Sequence, residues 1–292
     1  MNKGAVVVTG ASTGIGETCA LWLDKLGFQV FAGIRTDRDA QALKQKASER
    51  LNPIFLDVTD ADSIASAAQT VAIAVGDAGL AGLVNNAGVA VAGPLEFLPP
   101  SDFRQQLEVN VTGQVAVTQV FIPLLRLASG RIINMGSIGG RSATPFLGPY
   151  NASKFALEAL TDALRMELQP WGISVSIIEL GAIATPIWEK SLAEADRMQQ
   201  KLPAQAHNLY SRAIDVVSKS AATFAQKGIS ANIVAQAVVH ALTAKKPKTR
   251  YLIGQNARLR TLLNFLPDRV RDQLILRAMG LDVSATSLQS SR

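Results

Sequence analysis

The chain is poor in the residues that staple or metallate small proteins: its 292 residues include one cysteine, Cys19, and two histidines. A lone thiol closes no intramolecular disulfide, which excludes the bridged framework of small secreted domains and points to a reducing compartment. His207 and His240 do not stand at metal-ligand spacing, so no metal is expected. Charged residues make up only 18% of the chain against 48% apolar, so it can bury a sizeable core and is not disordered. No run reaches the roughly 18 uncharged apolar residues that read as a membrane-spanning helix. Met1-Asn2-Lys3-Gly4 leads directly into Ala5-Val6-Val7-Val8, without the apolar region and small-residue cleavage site of a signal peptide. These absences suggest a cytoplasmic globular protein.

The net charge of +6 is local. Lys245 to Arg277 holds nine Lys and Arg against two acids, Asp268 and Asp272, a surplus of +7 that leaves the rest of the chain near −1. A nucleic-acid binder would show a basic stripe interleaved with exposed aromatics or a recognisable reader module. The sequence shows neither, so no nucleic-acid partner is expected.

What is present is an alternation of short β-branched runs and helical patterns. Ala5 to Thr9 reads as a strand buried on both faces, followed by Thr9-Gly10-Ala11-Ser12-Thr13-Gly14-Ile15-Gly16 and an apolar helical period through Leu26. Strand, glycine-rich turn and helix form a nucleotide-phosphate site: Gly10, Gly14 and Gly16 allow close approach, and the helix start near Ser12, Thr13 and Ile15 offers N–H groups to an anion. A tight turn with a glycine cap would have the same spacing. Phe28 to Ile34 is the second strand. An acid for the ribose 2′-hydroxyl is expected about 20 residues past the glycines, and here Ile34-Arg35 occupy the place. Arg35 favours a 2′-phosphate, hence NADPH, with NADH the lesser alternative; an exposed strand-end charge is the plain reading.

Asp37 to Arg50 reads as a polar helix and Pro53 to Leu56 as a strand ending at Asp57-Val58. Asp57 is placed to accept an adenine amino group with Val58 against the ring, or to cap the next helix. After a helix over Asp60–Val75, Leu80 to Val84 is the fourth strand, and Asn85-Asn86-Ala87-Gly88 can tie its end to neighbours while leaving room for a flat ribose. Ser101 to Leu127 is a long helical pattern with Asn110 at its middle, where asparagine is poorly suited; it is either functional or a buried structural amide. Arg131 to Met135 is a strand that delivers Ser137. The helix Pro149 to Gln169 carries Tyr150 and Lys154 on consecutive turns of one face. Ile173 to Ile178 and Tyr251 to Gly254 complete about seven strands. The pattern implies an α/β doubly wound parallel sheet, Rossmann-type, with helices on both faces and ligands at the strands' carboxyl ends.

With these residues in register, the chain resembles the short-chain dehydrogenase/reductase family. Thr9-Gly10-x-x-x-Gly14-x-Gly16, Asn85-Asn86-Ala87-Gly88, Asn110, Ser137 and Tyr150-x-x-x-Lys154 match in order and spacing over about residues 4 to 255. The resemblance implies a nicotinamide cofactor, reversible alcohol oxidation and a homodimer or homotetramer. It also implies roles: Tyr150 as acid and base, Lys154 lowering its pKa and holding the nicotinamide ribose, Ser137 on the substrate oxygen, and Asn110 anchoring a proton-relay water. Where the family usually has Pro-Gly, this chain has Glu179-Leu180-Gly181. Gly181 keeps its place, and Ile183 and Thr185 remain candidates for the nicotinamide amide.

Residues 186–228 break the alternation. Trp188, Met198, Leu202, His207, Leu209, Tyr210 and Phe224 suggest a helical lid over a bulky lipophilic substrate, in the manner of hydroxysteroid and retinol dehydrogenases; facing the core or a subunit is the alternative. Residues 1–255 thus form the catalytic domain and 256–292 a helical extension. The extension closes the pocket, meets a subunit or makes peripheral membrane contact. The leading expectation is an NADPH-preferring oxidoreductase on a lipophilic alcohol or ketone. A 3-oxoacyl thioester reductase and a non-catalytic NADP-binding regulator are the alternatives. The Arg35 reading predicts that Arg35→Asp raises the KM for NADPH relative to NADH; an unchanged ratio removes Arg35 from cofactor choice.

Overall fold

The computed structural model describes residues 3–184, 203–254 and 257–282. Seven strands form one sheet: β1 Ala5–Val8, β2 Gln29–Ile34, β3 Leu51–Phe55, β4 Gly82–Asn85, β5 Arg131–Ser137, β6 Ser174–Leu180 and, after the short β7 Ile183–Ala184 and β8 Ile229–Ser230, β9 Arg250–Ile253. Their order is β3-β2-β1-β4-β5-β6-β9, and all neighbours run parallel. The sequence order reverses between β1 and β4, which opens a crevice at the carboxyl ends of the strands.

Both faces of the sheet are covered, which is why the strands read as unbroken apolar runs. Along β1, Val6 and Val8 point to one core with Leu23 of α1 (Gly14–Lys25) and Val234 and Val238 of α8 (Ala231–Thr243). Val7 points to the other, with Val71 of α3 (Ala61–Val75) and Phe121 and Leu125 of α5 (Gly113–Ala128). A period of two residues thus distributes one strand between two helix layers.

Three elements differ from the sequence pattern, each for a local reason. The polar helix is shorter: α2 covers Asp37–Lys44, not the stretch to Arg50. Buried Asp24 of α1 accepts from the Ser48 backbone N–H at 2.8 Å and from its hydroxyl, and pairs with Arg50, pulling the chain out of helix. Pro53 lies inside β3 rather than at its start, a place open to proline because β3 is an edge strand. The expected long helix over 101–127 is α4 (Pro100–Leu107), a π turn at Glu108–Thr112 that contains Asn110, and α5.

The expectation that nothing reaches spanning length needs amendment. Pro100–Ala128 is, among the described residues, the one helix long and apolar enough to cross a membrane by length and composition. Its polar residues Gln106, Asn110, Gln114 and Thr118 interrupt any apolar run in the sequence, yet all four are buried in the fold beside Val117, Phe121 and Leu125. The helix is a wall of the core.

At the centre of the sheet Asn85, the last residue of β4, donates to Thr118 Oγ1 and Asn134 Oδ1, both at 2.9 Å, while Asn134 donates to Thr161. Asn85→Ala strands these buried acceptors and should destabilise the fold by about 1–3 kcal/mol. The expected reading is a lower urea midpoint with an unchanged m-value.

Candidate active site

At the carboxyl end of β1 the chain turns through Gly10 and enters α1 at Gly14, so the amino end of α1 faces the crevice. Gly10 has φ +62, and a Cβ there would sit 2.9 Å from Ala87 Cα. At Gly16 a Cβ would meet Gly10 O at 2.3 Å and Asn86 Nδ2 at 2.5 Å. The glycines are required because the Asn85-Asn86-Ala87-Gly88 segment lies directly on the turn. Thr9 holds it there: its hydroxyl accepts from the Asn86 and Ala87 N–H groups at 2.9 Å, and Asn86 Nδ2 donates to Thr9 O and Gly10 O. A glycine cradle at a helix amino end suits a dinucleotide pyrophosphate. Ser12 is partly exposed and Thr13 exposed on this turn, while Ile15 packs against the core.

Arg35 follows β2 and is exposed, near enough that its charge acts on Asp57. Burial pushes the Asp57 carboxyl up, but hydrogen bonds from the Thr59 N–H and hydroxyl, with the Arg35 charge, outweigh it and hold it below the usual range. The N-cap of α3 is Asp60, which accepts from Asp62 and Ser63, so Asp57 does not serve that purpose. Val58 is buried in the core, leaving its main chain for any contact with a ring.

The segment after β4 is gripped by a stripe that the sequence reading missed. Gln106 accepts from Val91 N–H at 2.6 Å and donates to Val89 O at 2.8 Å. Asn110 accepts from Val89 N–H at 2.9 Å and donates to Val89 O and Ser153 Oγ. Gln114 donates to Ala87 O at 3.1 Å, and Thr118 takes the bond from Asn85. The signal was legible as polar residues at every fourth position. In an α-helix such a stripe drifts about 40° per step; the wider π turn at Asn110 winds less per residue and holds the stripe toward one segment. The side chain of Asn110 is therefore committed to protein partners.

Ser137 ends β5 and is buried; its hydroxyl accepts from Gly139 N–H at 3.0 Å and donates weakly to Leu180 O at 3.3 Å. Tyr150 and Lys154 lie in the first two turns of α6 (Gly148–Glu167). Ser137 and Tyr150 converge on Gly139, where a Cβ would lie 3.3 Å from Ser137 Oγ and 3.4 Å from Tyr150 Cε1, and Lys154 Nζ stands 5.8 Å from the Tyr150 ring centroid. Tyr150 keeps some surface open to the crevice, yet burial around its hydroxyl raises the phenol, only partly offset by Ser137. Lys154 is buried and donates to Met135 O at 2.8 Å; burial lowers it to about 8 against an opposing pull from Glu158. Asn151, also missed from sequence, donates to Gly139 O and accepts from Thr144 N–H, fixing the loop between Ser137 and α6.

Leu180, in the place of the expected proline, pairs with Ser137 and Ile253 and continues β6 as regular strand. Gly181 then passes Gly254, where a Cβ on Gly254 would come within 2.9 Å of Gly181 Cα. Ile183 is buried in the core and pairs with Ile229 in β7 and β8, a two-stranded sheet the sequence did not reveal. Thr185, Trp188, Met198 and Leu202 lie outside the described residues. Of the 186–228 segment, α7 (Ala204–Lys227) brings Tyr210 edge-on to Phe97 and Phe146 at 6.0 and 5.9 Å, its hydroxyl on Glu96 at 2.8 Å. Phe146 adopts φ +65, unusual outside glycine, directly before the helix of Tyr150.

Residues 4–196 match the model of the short chain dehydrogenase family. The chain is 39% identical to mouse "Retinol dehydrogenase 5" (92% of this chain, 87% of that protein) and 36% identical to bovine "17-beta-hydroxysteroid dehydrogenase type 6" (94% and 88%). It is also 35% identical to an "NADPH-dependent 3-dehydrocapnine reductase" of Ornithobacterium rhinotracheale (93% and 95%). Sheet topology, glycine cradle and the convergence of Ser137, Tyr150 and Lys154 agree with that match: the chain belongs to the short-chain dehydrogenase family, NAD(P)-dependent oxidoreductases acting on CH–OH groups.

Proposed function

We propose that the protein is an NADPH-preferring oxidoreductase that interconverts a ketone or aldehyde and an alcohol on a lipophilic substrate of steroid or retinoid type. The observation that carries the reading is the meeting of Ser137, Tyr150 and Lys154 beside the glycine cradle. A bound nicotinamide supplies or accepts the hydride. Tyr150 moves the proton. A phenol kept protonated by its surroundings suits donation to an oxygen that gains charge as its carbon is reduced. In the oxidative direction Tyr150 acts as base, and an adjacent positive charge on Lys154 favours its phenolate. Ser137 exchanges its long bond to Leu180 O for one to the substrate oxygen and stabilises the developing charge. Asn110 holds Ser153, next to Lys154, in place; with its amide engaged, a proton-relay water would rest on its main chain in the π turn.

For the cofactor, Gly10, Ser12, Thr13, Gly14, Ile15 and Gly16 take the pyrophosphate, Asp57 and Val58 the adenine, and Asn86, Ala87 and Gly88 the ribose. Tyr150, Lys154, Gly181, Ile183 and Thr185 hold the nicotinamide end. Preference for NADPH rests on exposed Arg35 with no acid at Ile34, and a relative named as NADPH-dependent supports it. The lipophilic substrate and the reading of α7 as part of a lid are supported by the aromatic contacts of Tyr210 with Phe97 and Phe146, and by the names of the retinol and hydroxysteroid relatives.

Two surface readings accompany this one. Exposed Phe155 and Met166 on α6 and Leu127 on α5 suit a homodimer or homotetramer interface. In the C-terminal extension, α9 (Ala257–Leu262) and the following turn expose Leu259, Leu262 and Phe265 among Arg258 and Arg260, a surface suited to peripheral contact with an anionic membrane.

NADPH oxidation followed against steroids, retinoids, acyl thioesters and small ketones should favour the first two classes. Tyr150→Phe should lose about 10²–10⁴-fold in turnover while still binding NADPH; full activity would sink the mechanism. Replacing Leu259, Leu262 and Phe265 by serine should abolish sedimentation with anionic vesicles, and persistent sedimentation would exclude the extension as the membrane contact.

A further inference from the structure

Beneath Lys154 lies a charged cluster that the reading of the reaction does not use. Glu158, one turn further along α6, is paired through Oε2 with Arg250 of β9. Arg250 also donates to Glu179 of β6 at 2.9 Å and to both oxygens of Asp162 at 2.7 Å. Arg141, just past the turn that follows Ser137, pairs with Glu179 at 3.1 Å, and Arg165 pairs with Asp162. Three acids face three arginines across α6, β6, β9 and the turn after β5.

The geometry places this cluster against the backbone of Lys154, one helical turn from its side chain. A Cβ on Gly140 would lie 2.7 Å from Lys154 O and 3.2 Å from Glu158 Cγ, so the turn after Ser137, the Lys154 backbone and the Glu158 stem are in close packing. Lys154 and Glu158 share one helix face. Glu179, the acid before Leu180, is buried and anchors Arg250 and Arg141 around Glu158. Oε1 of Glu158 is buried with no hydrogen-bond donor among the described residues. A carboxylate oxygen left so is rare and asks for a reason beyond packing.

We propose that Glu158 is a positioning residue for the reaction: its carboxylate, fixed by Arg250, supplies the negative charge that keeps the buried Lys154 protonated beside Tyr150. The charged groups acting on Glu158 are Arg250, Glu179 and Arg141, with Asp162 reached through Arg250; Lys154 stands one turn back on the same helix and feels the charge of Glu158. Burial acts against the ammonium of Lys154 and Glu158 acts for it. Burial likewise pushes the Glu158 carboxyl up, and Arg250 and Arg141 work against that rise while Glu179 adds to it. The arginines thus favour the charged form of an acid that in turn favours the charged form of Lys154.

The sign follows from removing one negative charge. In Glu158→Gln the Lys154 ammonium loses support, so its titration and the alkaline limb of the NADPH-dependent reduction rate should both move to lower pH, by on the order of one unit. The first is read without turnover, from the ε-carbon resonance of Lys154 in lysine-labelled full-length protein, assigned by its disappearance in Lys154→Arg. Asp162→Asn loosens the same cluster without removing the charge next to Lys154; it should lower the melting temperature and leave the limb and the resonance in place. Glu158→Asp, which keeps the charge, should restore most of the wild-type profile and serves if the glutamine variant does not fold. A Lys154 titration unchanged in Glu158→Gln, or moved equally by Asp162→Asn, overturns the proposal. The proposal rests on the role given to Lys154, and the two fail separately: unimpaired reduction by Lys154→Met removes that role, whereas the resonance tests the Glu158 coupling alone.

Discussion

The site depends on how the segment after β4 is held. Residues 86 to 91 are held by their main chain, between the glycine turn and the helix α6 that carries Tyr150 and Lys154. They are partly buried and lie outside any strand, so their backbone N–H and C=O groups find no ladder partners and turn to side chains instead. Gln106, Asn110 and Gln114 supply partners from one side, and Thr9 supplies them from the other. Because the segment presses on the cradle, Gly10 and Gly16 can be nothing larger. Because Asn110 reaches on to Ser153, the same stripe sets the place of the helix that carries Tyr150 and Lys154.

Electrostatics adds a second constraint. Lys154 must be buried to stand beside Tyr150, and burial works against its charge. A lysine in that position needs compensation close by; the Met135 carbonyl accepts from it, and Glu158 acts in favour of its charge. Glu158, Glu179 and Asp162 are matched one for one by Arg250, Arg141 and Arg165. Asp162 and the three arginines keep part of their surface in water, and partly exposed ion pairs of this kind contribute little net stability. Their stronger effect is on geometry, since Arg250 alone ties β9 to β6 and to α6.

Much of this was legible in the sequence. The seven parallel strands followed from β-branched runs alternating with helical periods, and their carboxyl ends fell where the motifs stand. Tyr150 and Lys154 were readable because their spacing is a property of the helix itself. The end of α2 was not, because Asp24 captures Ser48 from 24 residues away. Nor was the π turn at Asn110, which departs from the helical period that would identify it. The short sheet of β7 and β8 pairs residues 46 positions apart, Ile183 with Ile229 and Ala184 with Ser230, and neither two-residue stretch signals strand by itself.

By itself, then, the sequence determined what local rules govern: which segments are strand or helix, where glycine permits a turn, and which side chains share one face of a helix. Tertiary structure decided how those groups are poised. It committed the Asn110 amide to Val89 and Ser153, set Tyr150 and Lys154 under opposite effects of burial, and gathered Arg141, Glu158, Glu179 and Arg250 from four separate elements beneath them. The physical reason is range. Backbone propensity acts over a few residues along the chain, whereas desolvation and charge act through space on whatever the fold brings near.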